Sequence, residues 1–205
     1  MHLSKRISVT QTAVVALSLW MVTSLAAAEP TGDWPMWGGT THRHNATIAP
    51  HTPLDWNVGE FDRDTRLWMK ETSRNIKWVA PLGSQTYGTP VVAEGRIFIG
   101  TNNGRGYLKR FPSKVDLGCL LCFRERDGEF LWQLSCQKLK TGRVNDWPMQ
   151  GLCSTPLVED GRLWVVTNRC ELLCLSTEGG EDNEAKVLWR LDMWTDLGVR
   201  PHKMS

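Results

Sequence analysis

The sequence predicts an all-β fold: a β-propeller fragment of about two four-stranded antiparallel blades, plus an extra N-terminal strand. Three observations carry this. The stretch TPVVAEGRIFIGTN, residues 89–102, recurs 66 residues later as TPLVEDGRLWVVTN, residues 155–168, and seven of the fourteen positions are identical. Trp78, Trp132 and Trp189 close successive units at spacings of 54 and 57 residues, and self-similarity at a fixed period marks an array of equal supersecondary units. Within each unit the apolar runs are short, β-branched and cut by Gly and Pro, which argues against a helical solenoid.

In chain order, residues 1–28 read as a signal peptide. Lys5 and Arg6 precede a mostly apolar run from Thr12 to Leu25, and Ala26-Ala27-Ala28 supplies a small-residue cleavage site. The run is short for a membrane span, so no stable span is expected after cleavage. Position 29 is Glu, so no lipid anchor is expected, and the exported chain would be periplasmic or extracellular. Glu29–Ser205 carries 22 basic and 22 acidic residues. A neutral chain has no electrostatic footprint for nucleic acid. Residues 29–74 read as an irregular lead-in containing DWPMWGG (33–39), and Asn75–Pro81 as a stray strand that could complete another blade.

The first blade is read at 82–135, with strands at Thr89–Ala93, Arg96–Thr101, Gly118–Arg124 and Glu129–Ser135. The second is read at 153–191, with strands at Thr155–Glu159, Arg162–Thr167, Glu171–Ser176 and Lys186–Leu191. Pro90 and Pro156 stand at strand starts, where a missing N–H is tolerated. Glu94-Gly95 and Asp160-Gly161 are two-residue hairpin signals, and Asp127-Gly128 marks another turn. The runs IFIG and LWVV are apolar at consecutive positions, whereas a sheet with one wet face alternates. Both faces of these strands therefore need cover from neighbouring sheets. Residues 192–205 open a further unit. Propellers close with roughly four to eight blades, so two blades are expected to leave two large apolar faces bare. The chain then reads as the N-terminal portion of a longer propeller, with the remaining blades or other proteins as partners.

The segment Cys122-Phe-Arg-Glu-Arg-Asp-Gly-Glu-Phe-Leu-Trp132 resembles the repeat of the PQQ-like, quinoprotein-type propeller family. That repeat runs roughly Ala-x-Asp-x-x-Thr-Gly-Lys-x-x-Trp. Gly128 and Trp132 match, and Cys122 takes the small-residue slot. The second unit is looser, with Cys174, Gly179 or Gly180, and Trp189 after an insertion. DWPMWGG resembles the start of exported members, and the resemblance covers about residues 31–199. It implies that Trp78, Trp132 and Trp189 dock between blades, with Gly128 in the turn. An indole suits that task because it buries a wide apolar face and keeps one N–H for a backbone carbonyl.

Antiparallel order places the loop between the second and third strands at the same end as the connection between blades. The first such loop, NGRGYLKRFPSKVDL (103–117), offers Arg105, Tyr107, Lys109 and Arg110; the connection (136–154) offers Arg143, Asp146 and Trp147. Long loops often carry function, and a basic, aromatic face would suit an anionic ligand or a carbohydrate. Charged loops are also commonly just solvated, and both readings stand at this level.

The six cysteines give no strong metal motif. Cys119-x2-Cys122 and Cys170-x3-Cys174 are separated by 47 residues, far beyond zinc-ribbon spacing. Phe123, not His, follows the CxxC, which excludes haem attachment. Cys122 and Cys174 occupy equivalent points on adjacent blades about 10 Å apart and are expected buried and unpaired, while Cys136 with Cys153 is a permissible disulfide in an oxidising compartment. His42, His44 and His51 form a loose cluster with no carboxylate at fixed spacing, and EGGEDNE (178–184) falls short of a calcium loop.

Three functions are left in view. The first is an exported scaffold or interaction propeller without catalysis in this chain, like the outer-membrane assembly propeller of the family. The second, implied only by the resemblance, is part of a PQQ-dependent dehydrogenase, with the quinone in the central funnel beside calcium and an Asp as base. Those enzymes carry a vicinal cysteine pair, which this sequence lacks. The third is a carbohydrate-binding propeller. Fold alone does not choose among them.

Overall fold

The computed structural model describes residues 32–47 and 52–201. The signal peptide (1–28) and His51 lie outside the described residues. The lead-in is less irregular than expected: β1 (Glu60–Phe61) and β2 (Trp68–Met69) pair as a hairpin. Asp62 forms its turn, accepting hydrogen bonds from the backbone of Asp64 and Thr65 and from the Thr65 hydroxyl. Such local side-chain bonding is what makes Asp a turn former.

Two four-stranded antiparallel sheets follow. The first blade is β3 (Val91–Ala93), β4 (Arg96–Asn102), β5 (Leu117–Arg124) and β6 (Phe130–Gln137), paired in that order. The second is β7 (Leu157–Glu159), β8 (Arg162–Val166), β9 (Glu171–Ser176) and β10 (Val187–Asp192), again paired in order. Thr89–Ala93 and Thr155–Glu159 thus lie in different sheets. β3 and β7 begin one residue after Pro90 and Pro156, since proline cannot donate to a ladder. The residues Glu94-Gly95 and Asp160-Gly161 all have positive φ, as a type I′ hairpin requires. After β10, Met193–Leu197 form a short helix, α1. Asp192 caps it by accepting from the Trp194 and Thr195 N–H groups.

Each final strand carries a one-residue bulge immediately before its tryptophan. The register slips between Cys122 and Phe123 opposite Leu131, and between Val187 and Trp189 at Leu188. A bulge re-aims the next side chain. Trp132 accordingly joins the row Val91–Phe98–Cys122 on the face that meets the second blade, and Trp189 joins the equivalent row Leu157–Trp164–Cys174.

The core between the blades packs Val91, Phe98, Leu120 and Trp132 against Val158, Leu163, Val165 and Leu173. The other face of the first blade corrects an expectation. It is not bare: Ile99, Leu117, Leu121 and Phe123 are at most 4% exposed. Trp78, Ala80 and Leu82 pack there, joined by Tyr107, Phe111 and Val115 from the 103–116 loop. The stray strand expected at Asn75–Pro81 has no ladder partner among the described residues; it lies across this face. The DWPMWGG segment covers the first strand of each blade. Trp34 and Val92 exchange backbone hydrogen bonds, and the Val158 N–H donates to Pro35 O at 2.8 Å.

One side chain fastens the long loop. Asn103 is buried, and its amide lies 3.0–3.1 Å from the carbonyls of Phe111, Pro112 and Val115. Asn103→Ala should leave those carbonyls without a donor and cost about 1–3 kcal/mol, read by denaturant unfolding. Hydrogen exchange should accelerate across 104–116 and stay unchanged in the second blade; unchanged loop exchange would refute the assignment.

Candidate functional site

The tryptophans are placed by a shared device. The Trp78 indole N–H donates to Glu125 O at 2.8 Å, and its ring lies against Gly128, where an added Cβ would stand 2.5 Å from the indole. One blade along, Trp132 donates to Thr177 O at 3.0 Å and lies against Gly179. Both glycines have positive φ. Gly179, of the two alternatives read in the sequence, is the Gly128 equivalent. Trp132 is 1% exposed. Trp189, the third member, is 44% exposed, and among the described residues its indole has no hydrogen-bond partner.

The expected ligand face does not assemble as one surface. The loop 103–116 leaves the end of β4 and runs back along the blade. Tyr107 therefore stacks on Phe130 with ring centroids 4.3 Å apart, and its hydroxyl donates to Pro81 O; burial raises its pKa. Arg110 pairs with Glu184 at 2.5 Å, outside the edge of the first blade. Arg105 and Lys109 are exposed on the same loop. Arg143 and Trp147 instead sit on the inter-blade connection, the guanidinium 5.5 Å above the indole. Asp146 is buried and committed: Lys138, the Leu139 N–H and Asn168 all bond its carboxylate. Loop and connection touch where Met149 N–H donates to Asp116.

A second set of contacts across the blade gap was not flagged by composition. Glu94 accepts from Gly161 N–H at 2.7 Å and from the Thr177 hydroxyl at 2.8 Å. Arg96 pairs with Glu178, and Thr89 N–H donates to the Thr155 hydroxyl at 2.9 Å. The duplicated segment contains Glu94, Arg96 and Thr89, so alignment of the repeats was the signal that could have found them. At the loop end, Leu152 crosses the first blade, with Leu152 N–H on Thr101 O and Leu152 O close to Gly100. The equivalent place on the second blade is a cavity of about 430 Å3 lined by Cys153, Val166, Thr167, Cys170 and Met193.

All six cysteines are free thiols, Cys136 and Cys153 among them. Cys119 and Cys122 lie in opposite cores of the first blade, since three residues along a strand reverse the side-chain direction. His42 and His44 are exposed, with ring centroids 6.3 Å apart.

No protein-family model and no curated protein matches the chain. Solved structures do. The crystal structure of the quinohemoprotein alcohol dehydrogenase from Comamonas testosteroni is similar over 83% of this chain and 21% of that one, with a TM-score of 0.50 and 14% identity. The sheets are blades of a β-propeller. BamB from Moraxella catarrhalis shares 16% identity over 52% of this chain and 24% of its own, at a TM-score of 0.31. The propeller chain thus spans only a small part of each.

Among the described residues no three His, Cys, Asp or Glu side chains converge as metal ligands. Glu94, beside the first strands of the blades, is already bonded to Gly161 and Thr177.

Two outcomes are expected. Trp132→Ala should cost about 3–5 kcal/mol as a large-to-small core change, whereas Trp189→Ala should stay within about 0.5 kcal/mol; equal costs would refute the difference in docking. The second outcome is alkaline sensitivity. Burial pushes the Cys119 and Cys122 thiols far up, and that of Cys136 to about 12. A raised folded-state pKa gives stability that is whole below the unfolded value of about 8.5 and lost as pH rises toward the folded one. Urea midpoints should fall steadily above that pH, and Cys136→Ala should flatten the fall.

Proposed function

We propose that this chain acts as an interaction scaffold: a propeller segment whose second blade presents an open sheet face to another polypeptide, with no catalysis in this chain. One observation carries the reading. The row Val91, Phe98, Cys122 and Trp132 is at most 1% exposed because the second blade covers it. In the equivalent row, Trp189 is 44% exposed and Leu157 and Trp164 are only partly buried. Nearby Val166, Leu188 and Val199 are also exposed, and an apolar patch of this kind marks an interface. Export follows from the leader read at residues 1–28, and it would place this face in the periplasm or outside the cell.

The test is the association of the isolated chain. Sedimentation should show concentration-dependent assembly, with Trp189 emission shifting to the blue as it proceeds. Trp189→Glu should raise the monomer fraction while leaving the far-ultraviolet spectrum unchanged. A wild-type chain that stays monodisperse, melts cooperatively and keeps Trp189 quenchable at every concentration would refute the reading.

A further inference from the structure

The cavity of about 430 Å3 beside the second blade is lined by three soft donors: the thiols of Cys153 and Cys170 and the thioether of Met193. They come from three separate segments. Cys153 belongs to the inter-blade connection, Cys170 closes the turn between β8 and β9, and Met193 opens α1. The Met193 N–H donates to Cys170 O at 3.2 Å, which ties the helix to the turn. Each thiol meets only a distant carbonyl of the same cavity wall: Cys153 Sγ lies 3.9 Å from Gly151 O, and Cys170 Sγ 3.7 Å from Val199 O. Cys119, Cys122 and Cys174 are by contrast sealed in the cores, whereas Cys153 is exposed. The backbone at Cys170 is strained. Its N–H closes the turn on Thr167 O, and its φ is 62°. That left-handed place at the end of a tight hairpin turn favours glycine, and strain kept at a non-glycine residue points to a use for its side chain.

We propose that this cavity binds a soft monovalent d10 cation of the copper(I) class through Cys153, Cys170 and Met193. Thiolates and thioethers select such ions, whereas zinc takes a full tetrahedral set and calcium and magnesium take oxygen. The wall withholds oxygen. Asp146, its one carboxylate among the described residues, is committed to Lys138, the Leu139 N–H and Asn168. On binding, two S–H bonds break and two metal–sulfur bonds form; both protons leave to solvent and no electron is transferred. Two thiolates and one monovalent cation carry a single negative charge. Arg200 lines the same wall, and its guanidinium has no ion-pair partner among the described residues, so it meets that charge. Met193 is unbranched and flexible, which lets its thioether follow the ion.

The probe is copper(I) itself, added to the fully reduced full chain under argon in competition with a chromophoric chelator. The chain should hold a single equivalent and gain an ultraviolet thiolate-to-copper absorption band. Cys170→Gly separates binding from folding. It removes a donor and suits the left-handed turn, so the chain should melt no lower than the parent while the bound equivalent and the band are lost. Cys153→Ser should lose both as well, with an unchanged far-ultraviolet spectrum. Met193→Leu should keep the band but release copper at a lower chelator concentration. A parent chain that binds no copper(I), binding that persists in both Cys153→Ser and Cys170→Gly, or zinc(II) held as tightly as copper(I) would overturn the proposal.

Discussion

The structure depends on an indole laid across the gap between two sheets. Trp132 leaves the last strand of one blade, lies flat on Gly179 of the next and gives its N–H to Thr177 O. The contact is strong because it solves two problems together. It removes the largest side chain of the core from water, and it satisfies a buried donor at the same step. It is also directional. The bulge at Leu131 turns the ring to one side of the sheet, and only a turn with a left-handed glycine can receive it.

Direction gives the molecule two unlike ends. On the first blade's outer side the chain supplies its own cover. Trp78 stands where a preceding blade's tryptophan would, and the 103–116 loop is drawn over the remaining apolar surface by Asn103. The second blade has no such cover among the described residues, and its tryptophan stays half in water.

Most of the blade architecture was legible in the sequence. The duplicated segment fixed which strands are equivalent, the Glu-Gly and Asp-Gly pairs fixed the hairpins, and the spacing of the tryptophans fixed the unit length. These features are local, written in turn chemistry and period. The candidate ligand face was not legible as a unit. Tyr107 and Asp146 read as exposed, functional types, yet Tyr107 is spent on Phe130 and Pro81, and Asp146 on Lys138 and Asn168. A loop's composition does not say which way it folds back.

By itself, the sequence determined the repeat, the strand order within each sheet and the residues that close each unit, because these follow from periodicity and from backbone preferences of Gly, Pro and Asp. Only the tertiary structure decided which sheet face is sealed and which is open. That choice rests on contacts between residues far apart in the chain: Trp78 with Gly128, Tyr107 with Phe130, Glu94 with Gly161. Their geometry is set by packing, which no local pattern encodes.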